Sequence, residues 1–380
     1  MSDHPDVCLI TNPIGATGNA VHELLDVLTE ITDITLVTAN LPENSPMWGK
    51  YEVVEIDHKR EVDSIVPAAF YFVLNQIRMC NEIQKRDENV VWFFGATAYL
   101  LPILFARSIG KTVILQPRGD IPLTLQIHWK KHVSDFLAHF LAGIVEAFEN
   151  TGYKLADAIV TYTPSMATEL GLDRYEVKLH TNGARYVDLD SFTPHGAYKE
   201  RENVVGFLGR LDEEKRIHEL ANVAKQLPDD ITFVFAGDGP LYDWLADELS
   251  AEIESGSVEM LGWVDREDVP DVLNRFRLLV LPSETEGLPT VILEAFGCGT
   301  PVYATPVSGV PDVVVENKTG FLIDDVDSEV MANEITAILE RDDLAEMSTN
   351  VRQTAEDEYG FDAAVKRYEQ ILFPYIEQSE

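Results

Sequence analysis

The run SETEGLPTVILEAFGCGTPV, residues 283–302, places Glu286 just before a stretch of helical period and Glu294 two turns inside it. An apolar run, LLVLPS, leads into this turn. Pro289 suits a first helical turn, where its missing N–H has no intrahelical partner. The free N–H groups of such a turn, together with the helix dipole, make a seat for a diphosphate. Leu288 and Thr290 belong to the same turn and count among the residues expected to bind it. At 1.5 Å of rise per residue the two carboxylates stand at most about 12 Å apart along the axis. That is the scale of a nucleotide sugar, with one carboxylate for sugar hydroxyls and the other for ribose hydroxyls. A glutamate on a helix, taken alone, is ordinary solvated surface; set between an apolar strand and GCGTP, the pair says more.

A second run, GFLGRLDEEKRIHEL at 206–220, ends a strand in glycine and brings Arg210 and Lys215 to the opening of a helix. Cations there can neutralise a departing diphosphate, an electrostatic role that counts most as charge develops on the leaving group. The same two bases could instead pair with their neighbours Asp212, Glu213 and Glu214. Gly209 lies in this turn, and Gly237 and Gly239 lie in the comparable turn AGDGP. LGWVDREDV adds Trp263 and Val264, so a base and a ribose could rest along this edge. Near the start of the chain, NPIGATGNAV puts Gly15 and Gly18 between a strand and a helix, where backbone N–H groups can approach a ligand. Gly-x-x-Gly is not the Gly-x-Gly-x-x-Gly of dinucleotide binding, and no acid clearly ends the second strand, which disfavours a dehydrogenase.

Short apolar runs bounded by turn residues must position these groups, and they alternate with longer segments of helical period. This is the pattern of parallel sheets covered by helices. Strands are predicted at 6–12, 34–39, 51–57, 89–95, 111–117, 158–163 and 177–183, with long helical patterns at 64–86 and 132–156. At 186–202 the sequence YVDLDSFTPHGAYKERE is polar, broken by Pro194 and Gly196, and reads as a linker. Alternation then restarts with NVVGFLGRL, ITFVFAGDG, VEMLGWV, RLLVLPSE and PVYATPV. The expected architecture is α/β: a Rossmann-like domain over 1–195, a second over 196–360, and an amphipathic helix at 361–380 packing back on the first. Two doubly wound halves would leave a central cleft facing the strand C-termini.

The chain has 380 residues, with 65 acidic and 29 basic side chains and a net charge of −36. The acid is spread evenly, and self-repulsion at this density is relieved by salt, which suggests a salt-rich cytoplasm and a halophilic source. No basic stripe exists for a nucleic-acid backbone. Cys8, Cys80 and Cys298 have neither disulfide nor metal spacing and read as small core residues in a reducing interior. No signal peptide and no stretch of roughly 20 apolar residues is evident. The expected place is the cytoplasm, with peripheral contact at the inner face of the membrane as the outer limit. IPLTLQIHWKKHVSDFLAHFLAGIVEAF could make that contact and receive a lipid-linked acceptor, or simply pack on the sheet.

Together these residues resemble glycosyltransferase family 4, the large group of retaining GT-B enzymes of group 1 type. GRLDEEK is similar to that family's Gly-Arg-Leu-x-x-x-Lys turn, and EGLPTVILEAFGCGTPVYA to its E-x7-E element. SGVPDVV and KTGFLID resemble the segments that succeed it in the family. ADAIVTYT and TNGARYVDLDSFTP resemble the strand and Asn-Gly turn that close the first domain. The resemblance runs along nearly the whole chain and is densest from 204 to 324. It implies that Arg210 and Lys215 bind the pyrophosphate, Glu286 the transferred sugar and Glu294 the ribose. It also implies no cofactor and no bound metal, in keeping with the lack of an Asp-x-Asp in cation-binding company; the DLD at 188–190 belongs to the linker. One departure stands out. Many members carry a sugar-contacting His after the strand matching KTVILQP, whereas this chain has QPRGDIP. Arg118 and Asp120 occupy that turn, Asp120 as a candidate acceptor-side catalyst and Arg118 as a partner for an anion, with His128 as the alternative.

The function so implied is a retaining, metal-independent hexosyltransferase. It would move a sugar from a nucleotide-diphosphate donor to a glycan, glycolipid or polyprenyl-linked acceptor in surface-glycan or glycoprotein-glycan biosynthesis. Two rivals share the architecture. A sugar-nucleotide 2-epimerase would consume donor with no acceptor, and a non-catalytic partner of another transferase would bind donor without turnover.

Overall fold

The computed structural model describes residues 7–11, 19–39, 41, 43, 45, 47–56, 65–130 and 133–376; for residues 19, 65–70 and 128 it describes the backbone alone. The chain divides into two compact units, residues 1–185 with 364–380, and residues 186–363.

In the first unit the elements run β1 (Val7–Thr11), α1 (Asn19–Thr29), β2 (Ile34–Thr38), α2 (Met47–Lys50), β3 (Glu52–Glu55), α3 (Ile65–Gln84) and β4 (Val90–Phe94). They continue with α4 (Leu100–Ser108), β5 (Thr112–Gln116), α5 (Ile121–Trp129), α6 (Asp135–Leu155), β6 (Ala158–Val160), α7 (Pro164–Glu169) and β7 (Leu179–His180). Among the described residues the seven strands form one sheet, ordered β3-β2-β1-β4-β5-β6-β7. Every pairing is parallel; β1 stands between β2 and β4, with Val7 opposite Ile34 on one side and Val90 on the other. The central strands VCLIT and VVWFF are buried along their whole length, as strands covered on both faces must be.

The second unit runs β8 (Val204–Leu208), α8 (Ile217–Ala224), β9 (Thr232–Ala236), α9 (Tyr242–Glu248), α10 (Ser250–Ser255), β10 (Val258–Gly262) and α11 (Val269–Arg275). It continues with β11 (Leu278–Leu281), α12 (Thr290–Gly297), β12 (Val302–Ala304), α13 (Val310–Val313), β13 (Gly320–Leu322), α14 (Ser328–Leu339) and α15 (Leu344–Thr354). Its strand order, β10-β9-β8-β11-β12-β13, repeats the doubly wound order of the first sheet, again with parallel pairings. Two Rossmann-like parallel sheets in one chain are the GT-B fold that the sequence leads one to expect.

The last helix, α16 (Phe361–Ile376), belongs mostly to the first unit. Its Tyr368 hydroxyl donates to Gly183 O at 2.8 Å and accepts from Gln116 Nε2 at 3.0 Å. Gln116 Oε1 in turn accepts from Trp92 Nε1 at 3.1 Å, so a fully buried polar chain ties the end of the sequence to β4 and β5. Buried side-chain polar groups are tolerable only when paired, and each of these is.

One expectation needs correcting. The polar stretch at 186–202 is no free linker. Phe192 and Tyr198 are buried, and the Arg201 guanidinium donates to the carbonyls of Phe276 and Cys298 and to Thr300 Oγ1. Polar composition misleads here because arginine and tyrosine satisfy backbone carbonyls while burying their stems. Accordingly the first unit ends at Arg185, earlier than the expected boundary at 195. The helical pattern predicted at 132–156 is α6, Asp135–Leu155, and the apolar segment beginning at Ile121 adds the separate helix α5, which ends at Trp129.

Candidate functional site

The candidate site of the second unit is built from loops at the C-terminal ends of β8, β9, β10 and β11. After β8 the chain turns through Gly209 and Arg210 into a short 3-10 turn, Glu213–Lys215, and Arg216 adopts a left-handed φ of 52° before α8. This loop is bound to its neighbour: Gly209 N donates to Ala236 O at 3.0 Å, Leu211 N to Asp238 O at 3.0 Å, and Leu241 N to Leu211 O at 3.0 Å. A Cβ added at Gly237 would lie 1.9 Å from Gly209 O, and one at Gly239 would lie 2.5 Å from Leu211 O. Glycine is therefore required at both positions by the packing of these loops against each other.

The loop after β11 meets the same turn. Glu284 N donates to Glu214 O at 2.8 Å, and Lys215 Nζ forms an ion pair with Glu286 Oε1. Ser283 Oγ donates to the same Glu286 oxygen at 2.7 Å, and Thr305 Oγ1 holds Ser283 O at 2.6 Å. Lys215 and Glu286 are 17% and 14% exposed, so the pair is partly shielded yet reachable. Arg210 lies at the same loop, mostly exposed, pairing with Asp212 and, at 3.4 Å, with Glu214. Of the three acidic neighbours the sequence offers this arginine, it thus takes Asp212 and Glu214. Burial, then the neighbouring Asp212, pushes the Glu214 carboxyl above its ordinary range.

Glu294 lies inside α12, which starts at Thr290 directly after Pro289. Its side chain is nearly buried, and its carboxylate is held by Arg266 Nη1. Arg266 stands with its guanidinium carbon 5.0 Å from the Phe192 ring, a stacking that fixes the fork. Trp263, from the same loop, is 65% exposed and donates through Nε1 to Asp265 at 3.1 Å. Val264 is half-buried and Leu288 buried, while Thr290 opens the helix. The structure therefore brings Arg210, Lys215 and Glu286 to one loop junction, and sets Glu294 beside the loop that bears Trp263 and Val264. Sequence reasoning missed Arg266 and Ser283. Arg266 sat within the LGWVDREDV run, three residues beyond Trp263, but nothing in the local sequence signals a partner 28 residues away.

Residues 192–357 match the sequence model of the family described as glycosyl transferases group 1. The match spans 166 of the 380 residues and falls within the second unit. Relatives agree in kind. An alpha-D-kanosaminyltransferase of Streptomyces kanamyceticus is 25% identical over 309 residues, 76% of this chain and 77% of that protein. The Escherichia coli UDP-Gal:alpha-D-GlcNAc-diphosphoundecaprenol alpha-1,3-galactosyltransferase is 31% identical over 226 residues, 55% of this chain and 56% of its own. Among solved structures, Anabaena Alr3699/HepE in complex with UDP and glucose matches with a TM-score of 0.69 at 16% identity. The match covers 97% of this chain and 100% of that one, and at this identity it speaks for the fold.

The first unit carries the remaining candidates. Arg118 is exposed and packs beside Gly95, with its guanidinium carbon 5.6 Å from the Phe94 ring. Asp120 Oδ1 accepts from Leu123 N at 2.8 Å, so this carboxylate caps the start of α5. Asp120 also borders a cavity of about 460 Å³ between α5 and α6, lined further by Gln126, His139, Glu146 and Glu149. The side chain of His128 lies outside the described residues, as do Gly15 and Gly18. Cys8 and Cys298 are buried and burial pushes their thiols up to about 12, which fits packing and not nucleophilic chemistry. No described helix is long and apolar enough to cross a membrane.

Proposed function

We propose that this chain is a retaining, metal-independent hexosyltransferase that takes its sugar from a nucleotide-diphosphate donor. The observation that carries this reading is the loop junction where Lys215 pairs with Glu286 while Arg210 stands in the same turn, in a domain of the group 1 family. Arg210 and Lys215 would meet the donor pyrophosphate, which competes with Asp212, Glu214 and Glu286 for the two cations. Glu286 would receive the hydroxyls of the transferred sugar. Glu294 would share its carboxylate between Arg266 and the ribose, and Trp263 and Val264 would border the base.

In the step itself the acceptor oxygen bonds to the anomeric carbon as the bond from that carbon to the phosphate oxygen breaks. The acceptor proton passes to the departing phosphate oxygen on the same face, and the configuration is retained. Arg210 and Lys215 stabilise the charge that accumulates on the diphosphate, so no bound metal is called for. The acceptor is a glycan, glycolipid or polyprenyl-linked glycan, a class supported by the undecaprenol-linked acceptor named for the Escherichia coli relative. UDP is the favoured nucleotide, supported by that relative and by the Anabaena complex. The reaction is placed in the cytoplasm, at the inner face of the membrane where the acceptor is lipid-linked.

A thermal-shift titration against UDP-, GDP- and ADP-sugars in molar salt, with magnesium and with chelator, tests the donor assignment. Selective stabilisation by one nucleotide series, unchanged by chelator, is expected. Absence of any response in a folded sample would sink the reading. Proton NMR of the transferred product's anomeric centre then tests retention.

A further inference from the structure

Glu286 is held through one of its two oxygens. Lys215 Nζ pairs with Oε1, and Ser283 Oγ donates to that same atom at 2.7 Å. Among the described residues, the other oxygen, Oε2, accepts no hydrogen bond. The carboxylate therefore keeps one oxygen for the protein and one for a ligand, since an ionised carboxyl can accept at both.

The two holders of Oε1 differ in kind. Ser283 is only 1% exposed and closes the apolar run LLVLPS that contains β11. Its backbone is anchored to the neighbouring strand: Thr305, just past β12, donates through Oγ1 to Ser283 O at 2.6 Å and through N to Leu281 O at 3.1 Å. β11 and β12 run parallel there, with Leu281 opposite Ala304. Lys215, by contrast, reaches Glu286 on a flexible four-carbon stem from a 3-10 turn. One holder is short, neutral and fixed to the sheet; the other is long, charged and able to swing.

A serine that merely shapes a turn uses its hydroxyl to hydrogen-bond nearby backbone. Among the described residues, no backbone N–H donates to Ser283 Oγ, and the hydroxyl goes instead to the carboxylate three residues on. On the donor reading, on which this inference rests, the diphosphate draws Lys215 away from Glu286. A neutral hydroxyl is under no such pull. We infer that Ser283 is a positioning residue that keeps Glu286 in place for the transferred sugar once Lys215 has moved to the diphosphate. Without it, Glu286 would lose its second tether at the moment the sugar hydroxyls need the carboxylate.

The test separates the diphosphate from the sugar. Calorimetric titration of the wild type with UDP-, GDP- and ADP-sugars selects a donor. That donor and its bare nucleoside diphosphate are then titrated into Ser283→Ala. Affinity for the diphosphate should stay within about twofold while affinity for the sugar donor falls about tenfold, the weight of one hydrogen bond to a charged group. In a Glu286→Ala background, Ser283→Ala should change nothing further, because the serine acts only through that carboxylate. Ser283→Cys keeps the size and a weak donor, so its sugar-donor affinity should lie between; it also serves should the alanine variant fail to fold. Wild-type binding of both ligands by Ser283→Ala, an equal loss of both, or costs that add in the Glu286→Ala background would each overturn the inference and leave the donor reading standing. A folded wild type that binds no nucleotide sugar would sink the donor reading, and this inference with it.

Discussion

Lys215 and Glu286, 71 residues apart in the chain, meet as an ion pair where the loop after β8 touches the loop after β11. Two strands that are neighbours in the second sheet thereby deliver opposite charges to one point. Removing one member strands the other in a partly shielded position. Lys215→Ala and Glu286→Ala should each lose about 1–3 kcal/mol of stability in thermal or chemical denaturation. Each should also lower the transfer rate by a factor of about 100 or more, the usual cost of losing one preorganised charge. The double change Lys215→Met with Glu286→Leu should recover much of the stability and none of the transfer. Wild-type turnover in the double variant would refute the assigned roles.

Arg266 and Glu294 make a second, less symmetrical pair, since the carboxylate is buried and the guanidinium half exposed. Arg266→Ala leaves a buried negative charge unmatched and should cost about 3 kcal/mol. Adding Glu294→Gln should return part of that loss. An Arg266→Ala variant that melts with the wild type would show that Glu294 finds another partner or gives up its charge.

Asp120 can be tested for helix capping against catalysis. Asp120→Ala should cost about 1 kcal/mol through loss of the bond to Leu123 N, and Asp120→Ser should restore it. If Asp120 is also the acceptor-side catalyst, transfer stays low in the serine variant while the melting temperature recovers. Recovery of both would leave it a capping residue alone.

Much of this arrangement was legible in the sequence, for definite reasons. The buried central strands announce themselves because strands covered on both faces must be continuously apolar, as VCLIT and VVWFF are. The Arg210–Lys215 turn and the Glu286–Glu294 spacing are local and survive in one dimension. What stayed hidden depends on distant partners. Arg266 meets Glu294 only because two loops converge, and the stretch at 186–202 reads as linker only until Arg201 is seen to hold three groups of the second unit. The start of α6, by contrast, was local and legible, since the helical pattern predicted at 132–156 covers Asp135–Leu155. Ser134, a favoured N-cap residue, marks that start.

Glu149 makes the stability of the first unit depend on pH. Burial raises its carboxyl to about 7, against the opposing hydrogen bond from Thr97. A raised carboxyl favours the protonated fold, so its contribution is full below the ordinary value near 4.5 and is lost as pH climbs through about 7. The difference amounts to roughly 3 kcal/mol. Glu149→Gln should therefore raise the melting temperature at pH 8 and leave it little changed at pH 4. An unaltered pH profile would show that the acid titrates normally.

The even spread of acid predicts a strong dependence on salt. With 65 acidic side chains against 29 basic ones, repulsion across the surface should ease as the Debye length falls to about 3 Å near 1 M. The melting temperature should rise steadily with potassium chloride into the molar range. A flat response would mean that the acid is locally compensated.

The buried chain from Trp92 through Gln116 to Tyr368 has a bearing on how the protein comes into being. The ribosome makes the first sheet early, but the residues that close it, from Ala364 onward, are made only after the whole second unit. During synthesis the second unit can therefore reach its folded state while the older sheet still waits with Trp92 uncovered. The portion translated earliest is thus completed only once translation has passed Tyr368.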